Sequence, residues 1–137
     1  MHPYQDMVTD HQRLVMHAQA TLHEVHHSHP LPPGLLKSLG RCLRSHVRIE
    51  EDIVFAAAEQ LHGKSVRAVT AALRHEHAAL CALLSTVEVA LTFEDRAALL
   101  GALRELLQIL RTHCEKEEVE LYPLLRSMTD SGQVVAC

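Results

Sequence analysis

The chain has 137 residues, 47% of them hydrophobic, enough for one domain with a substantial apolar core. Its 13 Lys and Arg against 17 Asp and Glu give a net charge of -4, which offers no basic footprint for nucleic acid or an anionic membrane. No apolar run approaches the roughly 18 residues of a membrane span, and Met1-His2-Pro3-Tyr4-Gln5-Asp6 lacks the basic start and apolar stretch of a signal peptide, so a cytoplasmic location is expected.

The spacing predicts a first helix over roughly 5–27, with Met7, Leu14, Ala18, Leu22 and Val25 on one face and the run Asp10-His11-Gln12-Arg13-Leu14 within it. Three prolines and Gly34 break the pattern at 28–34. A second helix is predicted over roughly 33–61, with Leu36, Leu39, Leu43, Ile53 and Ala57 inward and His46-Val47-Arg48-Ile49-Glu50-Glu51 along it. After His62-Gly63-Lys64-Ser65, a third covers roughly 65–91, with Val66, Val69, Leu73, Leu80, Leu84 and Val87 inward and Glu76-His77-Ala78-Ala79-Leu80 at its middle. A weaker break at Thr92-Phe93-Glu94-Asp95, where Thr92 followed by Asp95 resembles a capping box, precedes a fourth helix over roughly 94–128. That helix turns Leu99, Leu103, Leu106, Leu110, Leu121 and Leu124 inward and carries His113-Cys114-Glu115-Lys116-Glu117-Glu118. No segment reads as a strand. Short turns force neighbouring helices to run antiparallel, so the expected fold is all-α, an up-down-up-down four-helix bundle over 1–130 with a short tail at 131–137.

One unit occurs twice in this chain: an acidic residue, a histidine, then Leu three positions on, followed by His-x-x-x-Glu-Glu. The interval from His11 to His46 is 35 residues, and from His77 to His113 it is 36. His11, His46, His77 and His113 fall on the inward stripes, and Glu50 and Glu117 follow their histidines by one turn on the same face. Counted from the turns, all lie at similar heights, within roughly two turns of helix at ~1.5 Å per residue. Four imidazoles and two carboxylates in a Leu/Val/Ala interior would cost several kcal/mol each if unpaired, and no Lys or Arg shares their stripe. A lone mid-helix histidine is commonly a hydrogen-bonded core residue. Six residues matched in type, phase, height and repeat form a ligand set for two cations, with iron, manganese or zinc suited to these donors.

These runs, with Phe55 closing the first half and Glu120-Leu121-Tyr122-Pro123 the second, make the chain resemble the hemerythrin-like (HHE cation-binding) domain over essentially its whole length. The resemblance implies a non-haem di-iron centre, oxo- or hydroxo-bridged, with His11, His46, Glu50, His77, His113 and Glu117 as ligands and the two glutamates bridging. It also implies a small partner, either a diatomic ligand or a peroxide, and a role in reacting with or sensing O2, peroxide or NO. Iron storage or buffering, iron-centre repair and reversible O2 binding remain alternatives, and whether the chain is an enzyme is left open. Oxygen carriers of the family have two histidines four apart on the third helix, where this chain has Leu73, and a His-to-Asp spacing of five on the fourth, where it has His-x-x-x-Glu. No nucleic-acid or membrane partner is expected, and the chain is expected to be a monomer or weak homodimer.

The remaining chemistry-bearing residues read as ordinary. His26, His27 and His29 cluster at the end of the first helix, where imidazolium suits the helix dipole. His17 and His75 point away from the site, and His2, His23 and His62 have no partner pattern. Cys42, Cys81, Cys114 and Cys137 have no paired spacing and read as reduced thiols, Cys42 and Cys81 each one turn from a proposed ligand. Tyr122 lies about 140° around an ideal helix from Glu117 and reads as packing, although a phenol there could donate toward the site. Glu51, Glu115, Glu118 and Glu120 read as mainly solvated.

Overall fold

Proline and glycine set the break between the first two rods and the end of the second. The structure, a computed structural model, describes residues 3–125. Helix α1 spans Pro3–His27 and α2 spans Pro33–Ile49. Pro33 opens α2 because a missing N–H costs nothing in a first helical turn. The second rod then continues through a π-helical turn, π1 (Glu50–Phe55), into α3 (Ala56–His62). Gly63 ends it with φ 58° and ψ -131°, a backbone shape that a side chain would strain.

Helix α4 spans Lys64–Thr92, and α5 (Arg96–Lys116) continues through a second π-helical turn, π2 (Glu117–Leu121), into a 3-10 turn at Tyr122–Leu125. Asp95 caps α5, its carboxylate accepting from the Ala98 N–H at 3.1 Å. Thr92, the expected cap, instead closes α4 by donating its hydroxyl to the Glu88 carbonyl. The end of the fourth predicted helix at 126–128 and the domain boundary at 130 lie outside the described residues. No helix among them is long and apolar enough to cross a membrane.

Two apolar clusters fill the bundle, and their order along each rod makes the rods antiparallel. On α1 the chain passes from Met7 in one cluster to Leu14 in the other; on the second rod it returns from Leu43 to Val54; on α4 it passes again from Leu73 to Leu80, and on the fourth rod it returns from Leu110 to Leu121. This is the expected up-down-up-down bundle. Between the two plates lies a polar layer in which His11, His46, Glu50, His77, His113 and Glu117 are each at most 4% exposed. Among the described residues no Lys or Arg is buried.

The π turns alter one expectation. Continuous α-periodicity puts Ile53, Ala57 and Leu124 inward, yet Ile53 is 54% exposed and the buried side chains are Val54, Phe55 and Ala58, with Leu121, Tyr122 and Leu125 in the equivalent places of the second half. A π turn takes up one extra residue, so everything after it arrives on the inward face one position late.

Candidate metal centre

The i,i+4 spacing of His46 with Glu50 and of His113 with Glu117 sets each carboxylate 2.8 Å from the Nε2 of the histidine one turn before it. Helices α1 and α4 bring the other two imidazoles across. His77 Nε2 lies 3.0 Å from Glu50 Oε1, and His11 Nε2 lies 3.2 Å from Glu117 Oε1 and 3.8 Å from Glu50 Oε2. The six residues thus form two sets of four donors, His11, His46, Glu50 and Glu117 in one and Glu50, His77, His113 and Glu117 in the other, with each set's ligand atoms within 4.8 Å of one another. Both carboxylates belong to both sets.

The donor set fits cations. His46 Nε2, His113 Nε2 and both oxygens of Glu117 are buried without a hydrogen-bond partner, although each histidine nitrogen is 2.8 Å from a carboxylate oxygen. Buried polar atoms normally find partners, and atoms this close that converge on one space without bonding one another are what a shared ion would satisfy.

Each imidazole is gripped from behind as well. The Nδ1–H of His77 donates to Glu51 at 2.7 Å, that of His11 to Glu118 at 3.1 Å and that of His113 to Glu76 at 2.8 Å, while His46 Nδ1 lies 3.7 Å from Asp10. Lys116 holds the other oxygen of Glu76 at 3.1 Å. Glu51 and Glu118 are therefore not mainly solvated, as the sequence suggested, but half-buried against the site. The recurring Glu-Glu pairs and the acid before His11 and His77 were the available signal, because an acid beside a ligand twice over is unusual. Glu115 and Glu120 are exposed as expected.

Tyr122 packs as expected, and its phenol also reaches the site. Its ring is fully buried and stacks on His11 at 5.2 Å, and its hydroxyl donates to Glu50 Oε2 at 2.9 Å while lying 2.7 Å from His11 Nε2. Five residues along an α-helix would turn it away from Glu117; five across a π turn bring it beneath. Phe55 holds the same place after Glu50 and stacks on His77 at 5.4 Å. The halves therefore match in shape but differ by one hydroxyl. Burial, with the charges of Glu50 and Glu117, pushes the phenol well above its ordinary range, so it remains a donor.

Of the other histidines, His17 is half-buried and His75 exposed. His62 lies 2.9 Å from the Leu124 carbonyl, and His29 meets Arg96. His23, for which no partner was foreseen, has its ring 4.3 Å from that of His27. His2 and Cys137 lie outside the described residues. Cys42 and Cys81 are half-buried free thiols; Cys114 is buried beside His11 and is pushed up by that burial. It helps line a groove of about 520 Å³ between α1 and the fourth rod, with His11, Met16, Glu118 and Val119.

The charges are arranged as a proton-filled version of a cation site. Burial would raise Glu50, but the His46 charge and the polar groups of Glu117, His11 and His113 around it overcome that and hold the carboxyl well below its usual range. Burial and the Glu50 charge push Glu117 up. Two adjacent carboxylates cannot both ionise freely. Burial would lower His46 and His113, yet Glu50 and its neighbours raise the first to about 9, and Glu117 and Glu50 raise the second to about 11.

The metal-free protein is consequently expected to weaken in alkali. Both histidines hold their protons above the free value of 6.5, so the stability they contribute is complete below pH 6.5 and is lost as pH rises through 9 and then 11. Glu117 acts in the same direction, and Glu50 matters only on the acid side. Melting temperatures in excess chelator should fall across this range, and a flat or rising profile would contradict the arrangement of charge.

A family model described as Hemerythrin HHE cation binding domain matches residues 2–125. No curated protein and no solved structure matches the chain.

Proposed function

The chain belongs to the hemerythrin HHE cation-binding family, and from that premise we propose that it is a non-haem di-iron protein that reacts with or senses O2, peroxide or NO. The observation that carries the reading is the pair of four-donor sets sharing Glu50 and Glu117, with partnerless nitrogens and oxygens between them. His11 and His46 would terminate one ion and His77 and His113 the other. The shared carboxylates would bridge the two. Iron is favoured over zinc or manganese by the family alone, because the donors suit all three.

Iron bound there supplies one-electron redox chemistry and coordination positions for a small ligand. The protein's part is to fix the donors, exclude bulk water and offer a proton donor. The two apolar plates exclude water. Tyr122 places an O–H within 2.9 Å of the shared Glu50 carboxylate, on the His11 side only. With Leu73 where the oxygen carriers have a further histidine, each set has four protein donors, which favours turnover or sensing over reversible carriage. The role would be cytoplasmic.

The test is anaerobic purification, metal analysis, and optical spectra after addition of O2, H2O2 and NO. About two irons per chain and irreversible oxidation by O2 or peroxide are expected. Repeated cycling of O2 on and off without loss of the spectrum would favour carriage instead, and a chain that takes up no iron would sink the reading.

A further inference from the structure

Two of the four acids behind the imidazoles are exchanged between the two halves of the chain. Asp10 and Glu76 stand immediately before His11 and His77, and each faces the other histidine of its own half, His46 and His113. Glu51 and Glu118 cross over. Glu51 follows the shared Glu50 on the second rod, and its carboxylate takes the Nδ1–H of His77 on α4; Glu118 follows Glu117 on the fourth rod and takes the Nδ1–H of His11 on α1.

The crossing has a local cause. Both acids lie in the π turns, whose first residue, Glu50 or Glu117, points into the bundle while the second emerges beside the neighbouring rod. Each is about one-third exposed, and each reaches an imidazole that is 1% exposed. The contact is thus between a rim carboxylate and the back of a buried ring. A carboxylate on Nδ1–H fixes the tautomer, keeps the Nε2 lone pair facing inward and makes the nitrogen a stronger donor.

We propose that Glu51 and Glu118 are positioning residues acting across the halves: Glu51 strengthens the cation position built on His77 and His113, and Glu118 the one built on His11 and His46. This rests on the two-cation reading of the site. It means that neither half holds its ion with its own residues alone, since each borrows a carboxylate ligand and the acid behind one histidine. Glu51 is expected to be the stronger of the two, because its contact is 2.7 Å against 3.1 Å for Glu118. Both contacts are separate from the Glu76 grip on His113, where Lys116 draws on the same carboxylate.

The experiment uses the full chain loaded with Co(II) at limiting concentration, as wild type, Glu51→Gln and Glu118→Gln. Glutamine keeps the shape and can still accept the Nδ1–H, so the change removes charge rather than packing. Anomalous diffraction reads the occupancy of each ion separately, and chelator competition reads affinity. Glu51→Gln should weaken the ion at His77 and His113 by about 10- to 100-fold while sparing its neighbour, and Glu118→Gln should do the reverse, with metal-free melting temperatures close to wild type. Equal loss at both positions, loss confined to the mutated half's own histidines, or no loss would overturn the exchange. A wild-type chain that takes up no metal would overturn the two-cation reading itself, a result distinct from these.

Discussion

Replacing His46 with alanine is expected to remove most of the metal-dependent part of the protein's thermal stability. His46 is 4% exposed, its Nε2 has no hydrogen-bond partner, and it belongs to the donor set with His11, Glu50 and Glu117. A cation that binds only the folded chain stabilises it by about 2.7 kcal/mol at a hundredfold excess over Kd, and about 3–4 °C per kcal/mol for a domain of this size makes that roughly 10 °C. The comparison to make is the melting temperature with iron minus that in chelator. Wild type should show the increment, and His46→Ala should lose most of it together with bound metal. Loss of the imidazolium beside Glu50 lowers the chelator value by itself, so each melting temperature is also compared directly with that of wild type. An unchanged increment with unchanged metal content would remove His46 from the ligand set.

Leu73→Ala tests the scaffold rather than the ligands. Leu73 is completely buried in the apolar plate with Met7, Val54, Phe55, Val66 and Tyr122, one turn before His77. Deleting its side chain should cost about 2–5 kcal/mol in denaturant unfolding, the upper part of the range applying if the plate cannot close over the cavity. Metal stoichiometry should be retained, because no donor is lost and Glu51 still holds the His77 ring from behind. Coincident loss of metal would mean that the plate, and not the acid, orients His77.

The antiparallel bundle and the inward face of its candidate ligands were already legible in the order of residues. Leu, Ala and Val repeated at three and four make one face of a helix apolar whatever surrounds it, and a histidine in phase with that stripe must be buried. The near-equal intervals from His11 to His46 and from His77 to His113 then put the imidazoles at a common height, since short turns leave antiparallel rods little freedom to slide.

Tertiary structure decided what lies beyond each Glu-Glu pair. A π turn leaves no mark on a periodicity read at 3.6 residues per turn; Ile53 is therefore expected inside, and the single extra residue turns it out and brings Tyr122 beneath Glu117. The partners of Glu51 and Glu118 were hidden for a different reason. Local spacing relates a residue to others on its own helix, whereas these two carboxylates find their histidines on another rod, 26 and 107 positions away, and only the packing of the rods brings them within a hydrogen bond.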